Sequence, residues 1–280
     1  VSAIEWTGLT WNPTTGCDRI SPGCDNCYAL EMARRLKAMG QAKYQNDGDP
    51  RTSGPGFGLT VHPDALSIPL RRRKPETWFV NSMSDLFHAR VPKTFAGGVW
   101  NTMALTPQHT YQILTKRPER MRRILTEWAE AGWMWRKDDL IWCGPIPGPL
   151  ANVHLGTSIE SDDYCRRAGE LRATPAAIRF LSLEPLIGHL PSLDMTGIDW
   201  VIIGGESGPG SRPLDLGWVR DLIAQGRDVG AAIFVKQLGS QWAREHGSSD
   251  KGGDWSLWPD DLKIREFPWT VQASMPGGAG

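Results

Sequence analysis

Three of the chain's five cysteines, Cys17, Cys24 and Cys27, fall within eleven residues, with six residues between the first two and two between the second pair. Pro22 and Gly23 bend the loop between them, so three thiols can converge on one point. Clustered thiols opening a helix point first to a metal or cluster site. The count is informative. A structural zinc usually closes its shell with four protein ligands, and a four-iron cluster normally takes four thiolates. Three thiolates leave one iron open. The chemistry that uses an open iron is cleavage of S-adenosylmethionine by a [4Fe–4S] cluster. The open iron holds the cofactor's amino and carboxylate groups, and an electron then splits the sulfonium to give an adenosyl radical. Two other readings stand beside this one: a zinc knuckle with a distant fourth ligand, for which Asp18 and His62 are the nearest candidates, and ordinary thiols. Cys143 and Cys165 lack close partners and read as ordinary thiols.

The elements around the loop follow from hydrophobic patterning. Leu9–Pro13 reads as a first strand, and Tyr28 to Met39 as a helix stopped by Gly40. Residues 41–73 form a long connection rich in Gly, Pro, Asp and Arg, centred on Gly54-Pro55-Gly56-Phe57-Gly58 and ending in the basic run Arg71 to Lys74. A repeated grammar then begins, in which a short apolar run ends in a polar cluster. The runs are 78–80, 111–114, 153–156, 178–181, 200–203 and 231–235. Helical stretches are expected at 93–105, 118–131, 162–172 and 216–229. Strand and helix at this spacing mean parallel strands with right-handed crossovers. The expected fold class is therefore α/β, a partial or full parallel (β/α) barrel of about six to seven strands. It fills residues 1–240 as a single domain, and 241–280 form an irregular arm holding Trp242, Trp255, Trp258 and Trp269. The insertion from Trp133 to Pro149 reads as a lid or as core packing.

In such folds the site lies at the carboxyl ends of the strands. The polar clusters fall there, so Asp85, Lys116, Glu160, Glu184, Glu206 and Lys236 are expected to face one cavity with the cysteines. A helix cap or strand-end salt bridge is the plainer role for any one of them. Gly204-Gly205-Glu206 reads as a backbone cradle, with Glu206 available for an ammonium or for ribose hydroxyls.

Composition excludes several classes. At 280 residues the chain can bury a sizeable core, and its 31 basic and 31 acidic residues balance. No global charge calls for nucleic acid or an acidic membrane surface. No run of apolar residues is long enough for a membrane span. With clustered thiols and no signal pattern at its start, the chain is expected to be cytoplasmic.

The blocks Ile4-Glu5-Trp6, Thr10 to Pro13, Gly16-Cys17, Ile20 to Cys24 and Cys27-Tyr28-Ala29 resemble the phage Gp thirty-seven/Gp sixty-eight family of three-cysteine-motif proteins. Leu114 to Pro118, Leu155 to Glu160, Ser182 to Pro185, Gly204 to Gly208 and Val235 to Gln237 are similar to its later blocks. That family in turn looks like a distant radical S-adenosylmethionine group, which implies a partial (β/α) barrel, a [4Fe–4S] cluster and the adenosyl cofactor. The usual superfamily motif spaces its cysteines by three and two residues and has its aromatic before the third. Here the spacing is six and two, and Tyr28 follows the third. On this resemblance Cys17, Cys24 and Cys27 ligate iron and Tyr28 lies against the cluster or the cofactor. Ser82, Asp85, Ser158, Glu160, Gly204, Gly205 and Glu206 serve the cofactor. Lys116, Arg117, Glu184, Lys236 and Gln237 are left for an unidentified substrate, with Lys116, Glu184 and Lys236 the catalytic candidates. An external electron donor is the expected partner. The rival is a zinc-stabilised phage-type protein, structural or holding nucleic acid through Arg71 to Lys74 and Lys116-Arg117.

Overall fold

The structure is a computed structural model, and it describes residues 4–132 and 149–268. Cys143, the insertion to Gly148 and the end of the arm lie outside the described residues. The fold class is the expected α/β, of the partial parallel (β/α) barrel type, with seven parallel strands in chain order. The chain divides into two compact units, Val1–Thr157 with Ala173–Ala177, and Ser158–Arg172 with Ile178–Gly280.

In the first unit β1 (Leu9–Trp11) is followed by the two-residue strand β2 (Thr14–Thr15) and by α1 (Tyr28–Ala38). Then come β3 (Thr60–Val61), β4 (Thr77–Val80), α2 (Lys93–Ala104), β5 (Thr110–Thr115) and α3 (Pro118–Glu130). The strand β6 (Val153–Ser158) closes the set. β1, β4, β5 and β6 pair in parallel in that order, with Trp11 opposite Val80 and Val80 opposite Ile113. Every residue of β6 is buried, as expected of a parallel strand covered on both faces.

Sequence patterning gave no sign of β2 and β3, which pair antiparallel, Thr14 with Val61 and Thr15 with Thr60. Two residues per strand are too few to show alternation. Their pairing nevertheless folds the Gly/Pro-rich connection back under the cysteine loop. Gly16, at φ 86°, bridges to Ser84, and a Cβ there would stand 2.3 Å from the Gly58 carbonyl oxygen. Gly16→Ala is therefore expected to cost about 1–3 kcal/mol, from left-handed strain plus a backbone clash. Denaturant titration checks this; stability equal to wild type would mean that the 58–59 backbone moves aside freely.

The second unit holds α4 (Arg166–Arg172), β7 (Ile178–Leu183), β8 (Trp200–Gly204), α5 (Leu216–Asp228), β9 (Ala232–Gln237) and α6 (Ser240–Glu245). β7, β8 and β9 are parallel, with a register irregularity between Ile203 and Gly204. The arm is less irregular than expected. It opens with α6, and Ile264–Glu266 runs antiparallel along β9, with Val235 N–H donating to Ile264 O at 2.9 Å and Glu266 N–H to Ile233 O at 2.8 Å. Of its tryptophans, Trp242 and Trp258 are buried, Trp255 is half-buried and Trp269 lies outside the described residues; the Trp258 indole donates to Gly252 O.

Candidate functional site

The cysteine loop is built from the inside out. Cys27 is the N-cap of α1, and Cys24 closes a turn through its N–H to Ser21 O at 2.9 Å. Beneath the loop lies a buried apolar group of Ala29, Ala33, Phe57 and Met83, against which Cys17 and Cys27 pack. The helix-facing spacing of Ala29 and Ala33, small residues one turn apart, lets Phe57 approach. All three thiols are half-buried. Burial is the main reason that the Cys17 thiol is pushed up to about 12; Asp85 adds to this and Arg117 opposes it. Burial also raises Cys27, against the backbone N–H groups of Ala29 and Leu30 at the helix start. Cys24 is near enough to both for its charge to raise them. Among the described residues, no three His, Cys, Asp or Glu side chains are placed to hold one ion together.

Asp18 fastens this loop to the rest of its unit. Its carboxylate accepts from Thr52 Oγ1 at 2.9 Å, Ser53 Oγ at 3.4 Å and Arg90 Nη2 at 3.0 Å, and lies 2.9 Å from His88 Nε2. Burial works against the charge, but the bonds from Thr52 and His88 and the Arg90 charge outweigh it, and Asp18 is held below the usual carboxylate range. Arg117 adds the second fastening. Its guanidinium donates to Cys17 Sγ at 3.4 Å, to Asp85 Oδ2 at 2.9 Å and to the Asp18 carbonyl at 3.0 Å. Asp85 is buried and also accepts from Thr115 Oγ1 and from the N–H groups of Phe87 and Lys116. His62, buried, lies 2.9 Å from Thr15 Oγ1. Neither Asp18 nor His62 is thus poised as a fourth ligand. Nothing in the sequence marked Asp18 as a hub, since its partners lie up to 72 residues away.

The other first-unit candidates border the loop. The Tyr28 hydroxyl donates to Ser82 O, and Ser82 Oγ bonds Asn12 Oδ1 at 3.2 Å. Lys116 is half-buried beside Asp85. Arg117 also lines a cavity of ≈ 760 Å³ along α3, where Arg120, Arg122 and Arg123 are interspersed with Glu119, Glu127 and Glu130. No single sign of charge dominates it. The basic run Arg71 to Lys74 is exposed.

The second-unit candidates form their own set of strand-end contacts. Glu184 follows β7 and receives Lys236 Nζ at 2.7 and 2.9 Å and Gln237 Nε2 at 3.2 Å, both from β9. Gly204 ends β8 between them, and Gly205 follows it. A Cβ on Gly205 would stand 2.8 Å from Leu238 O, so the close approach its glycine permits is to the chain's own backbone. Glu206 is buried and accepts from Arg212 N–H and Nε, each at 2.9 Å. Ser158 and Glu160 are buried, and Arg167 Nη1 donates to Ser158 O and to Glu160 Oε2, each at 2.9 Å. Arg167 and Arg212 were not singled out in the sequence. Cys165 is a buried thiol bonded to Asp162, and burial pushes it up to about 12. Among the described residues, no helix is long and apolar enough to cross a membrane.

Fold and loop together define a class: an α/β protein of parallel strands carrying a half-buried three-thiol loop at the start of its first helix. The chain belongs to the family described as "Protein of unknown function (DUF5131)", which it matches over residues 1–263. No curated protein and no solved structure matches it.

Proposed function

We propose that this chain is a radical S-adenosylmethionine enzyme whose [4Fe–4S] cluster is held by Cys17, Cys24 and Cys27. One observation carries the reading. Three thiols share a loop with an apolar floor and a fixed N–H donor on one sulfur, while the nearest other ligands, Asp18 and His62, are committed elsewhere. Bound there, the cluster supplies an electron, drawn from an external donor, for reductive cleavage of the cofactor's sulfonium.

The chain's own residues do the rest. Phe57 and Met83 keep water from the inner side of the loop, and Ser21 Oγ, 3.8 Å from Cys24 Sγ, orients the second thiol. Cys27 gains from the helix start, whose N–H groups favour a thiolate. Tyr28 and Ser82 are bonded to each other at the loop's border, and in this reading they meet the cofactor. Asp85, Glu160 and Glu206 each hold an arginine, and in this reading they shape the strand ends through Arg117, Arg167 and Arg212. Glu184 holds the Lys236 ammonium in place at 2.7 Å, and in this reading Lys236 serves as a proton donor or anion contact.

The test needs no substrate. Protein reconstituted with iron and sulfide under nitrogen and reduced with dithionite is expected to convert S-adenosylmethionine slowly to 5′-deoxyadenosine and methionine, read by chromatography. A loaded cluster whose spectrum ignores the cofactor and that yields neither product would end this reading. One tightly held zinc per chain with no iron uptake would point to the knuckle.

A further inference from the structure

We propose that Arg117 sets the electron affinity of the group held by the three-cysteine loop; this inference rests on the function proposed above. In the sequence Arg117 stood among residues left for the substrate, yet its guanidinium faces inward. Nη1 reaches Cys17 Sγ at 3.4 Å, from a strand end 100 residues along the chain. Its position is fixed from two other sides, by Asp85 Oδ2 at 2.9 Å and the Asp18 carbonyl at 3.0 Å. Asp85 is fixed in turn by Thr115 Oγ1, at 2.8 and 2.9 Å from its two oxygens. The cation therefore cannot swing away when charge on the sulfur changes.

Adding one electron to a cluster makes it more negative by one charge. A nearby cation and an N–H donor on a ligating sulfur favour the more negative state, so they raise the potential. Asp85 opposes this from the same nitrogen, since Nη1 bonds both its Oδ2 and Cys17 Sγ. Removing the guanidinium therefore takes away the donor on the sulfur and also leaves the Asp85 charge beside it without its cation, and both losses lower the potential. A second-layer donor of this kind tunes a metal site without ligating it. Arg117 is thus a positioning and tuning residue.

The experiment compares wild type, Arg117→Lys and Arg117→Met after anaerobic reconstitution, reading iron content and the midpoint potential by redox titration followed by electron paramagnetic resonance. Arg117→Met is expected to load iron and to shift to more negative potential by at least about 59 mV, a tenfold change in a one-electron equilibrium. Arg117→Lys keeps a charge but loses the forked geometry, and is expected to shift less in the same direction. A loaded Met variant with the wild-type midpoint overturns the inference while leaving the function standing. If the Met variant does not load, an unchanged midpoint in Arg117→Lys overturns it. Wild type that takes up no iron overturns the function itself, and the inference with it. A purely structural strap would change iron retention and leave the potential of the loaded protein where it was.

Discussion

Cys17→Ala, Cys24→Ala and Cys27→Ala are each expected to abolish bound iron and sulfide after anaerobic reconstitution, whereas Cys165→Ala keeps them. Removing one thiolate takes a ligand from one iron, and no replacement stands ready: Asp18 is bonded by Thr52, Ser53, His88 and Arg90, and His62 lies against Thr15. Cys165 is the matched control, a buried thiol in the second unit that donates to Asp162 at 3.4 Å. Iron and sulfide assays on the four variants check this directly. Full loading of the Cys24→Ala protein would remove the three-thiol assignment.

Arg167→Ala is expected to lower stability by about 3–5 kcal/mol, the cost of stripping the partner from a buried ion. Glu160 is 0% exposed and Arg167 3% exposed as side chains, 2.9 Å apart. Arg167 also covers the Tyr164 ring at 4.2 Å and caps the Ser158 carbonyl, so its loss strands several groups at once. Arg34→Ala is the contrast. Its bond to Glu31 at 2.8 Å is as short, but the two side chains are 66% and 59% exposed. That pair is worth about 0–1 kcal/mol in water. Urea titrations of both variants settle the comparison; equal losses would mean that Glu160 finds another partner when Arg167 is gone.

The strands were legible because burial writes itself into sequence. Trp200–Gly204 is apolar or glycine throughout, Val153–Ser158 is apolar or small apart from His154, and both are buried throughout; such runs between turn residues leave little else to assign. Helix ends were legible from proline and glycine, as at Pro118 and at Gly132 just beyond Ala131. The plainer role of the carboxylates, a strand-end salt bridge, was legible, but its partners were not. Glu160, Glu184 and Glu206 sit where strands end, as expected, but their partners Arg167, Lys236 and Arg212 lie 7, 52 and 6 residues away. An ion pair depends on direction in space, which spacing along a chain does not encode. Arg117 carried the same ambiguity, since a strand-end arginine reads alike whether it faces a ligand or a sulfur. Gly205 was legible as a glycine that something must approach, and only the fold shows that the approaching group is Leu238 O.

The fastening of the cysteine loop also fixes when in the life of the chain the loop is ready. Its sulfurs are synthesised first, but the residues that hold Asp18 arrive at Thr52, His88 and Arg90, and the last clasp, Arg117, comes 99 residues after it. At about 5–20 residues per second, the nascent loop waits roughly 5–20 s for that clasp. During this interval three thiols hang together on an unanchored segment, open to oxidation and to whichever metal reaches them first. The order of assembly is therefore set by the ribosome: the loop is anchored only once Arg117 has emerged from the exit tunnel, and under the function proposed above, delivery of iron would come after it.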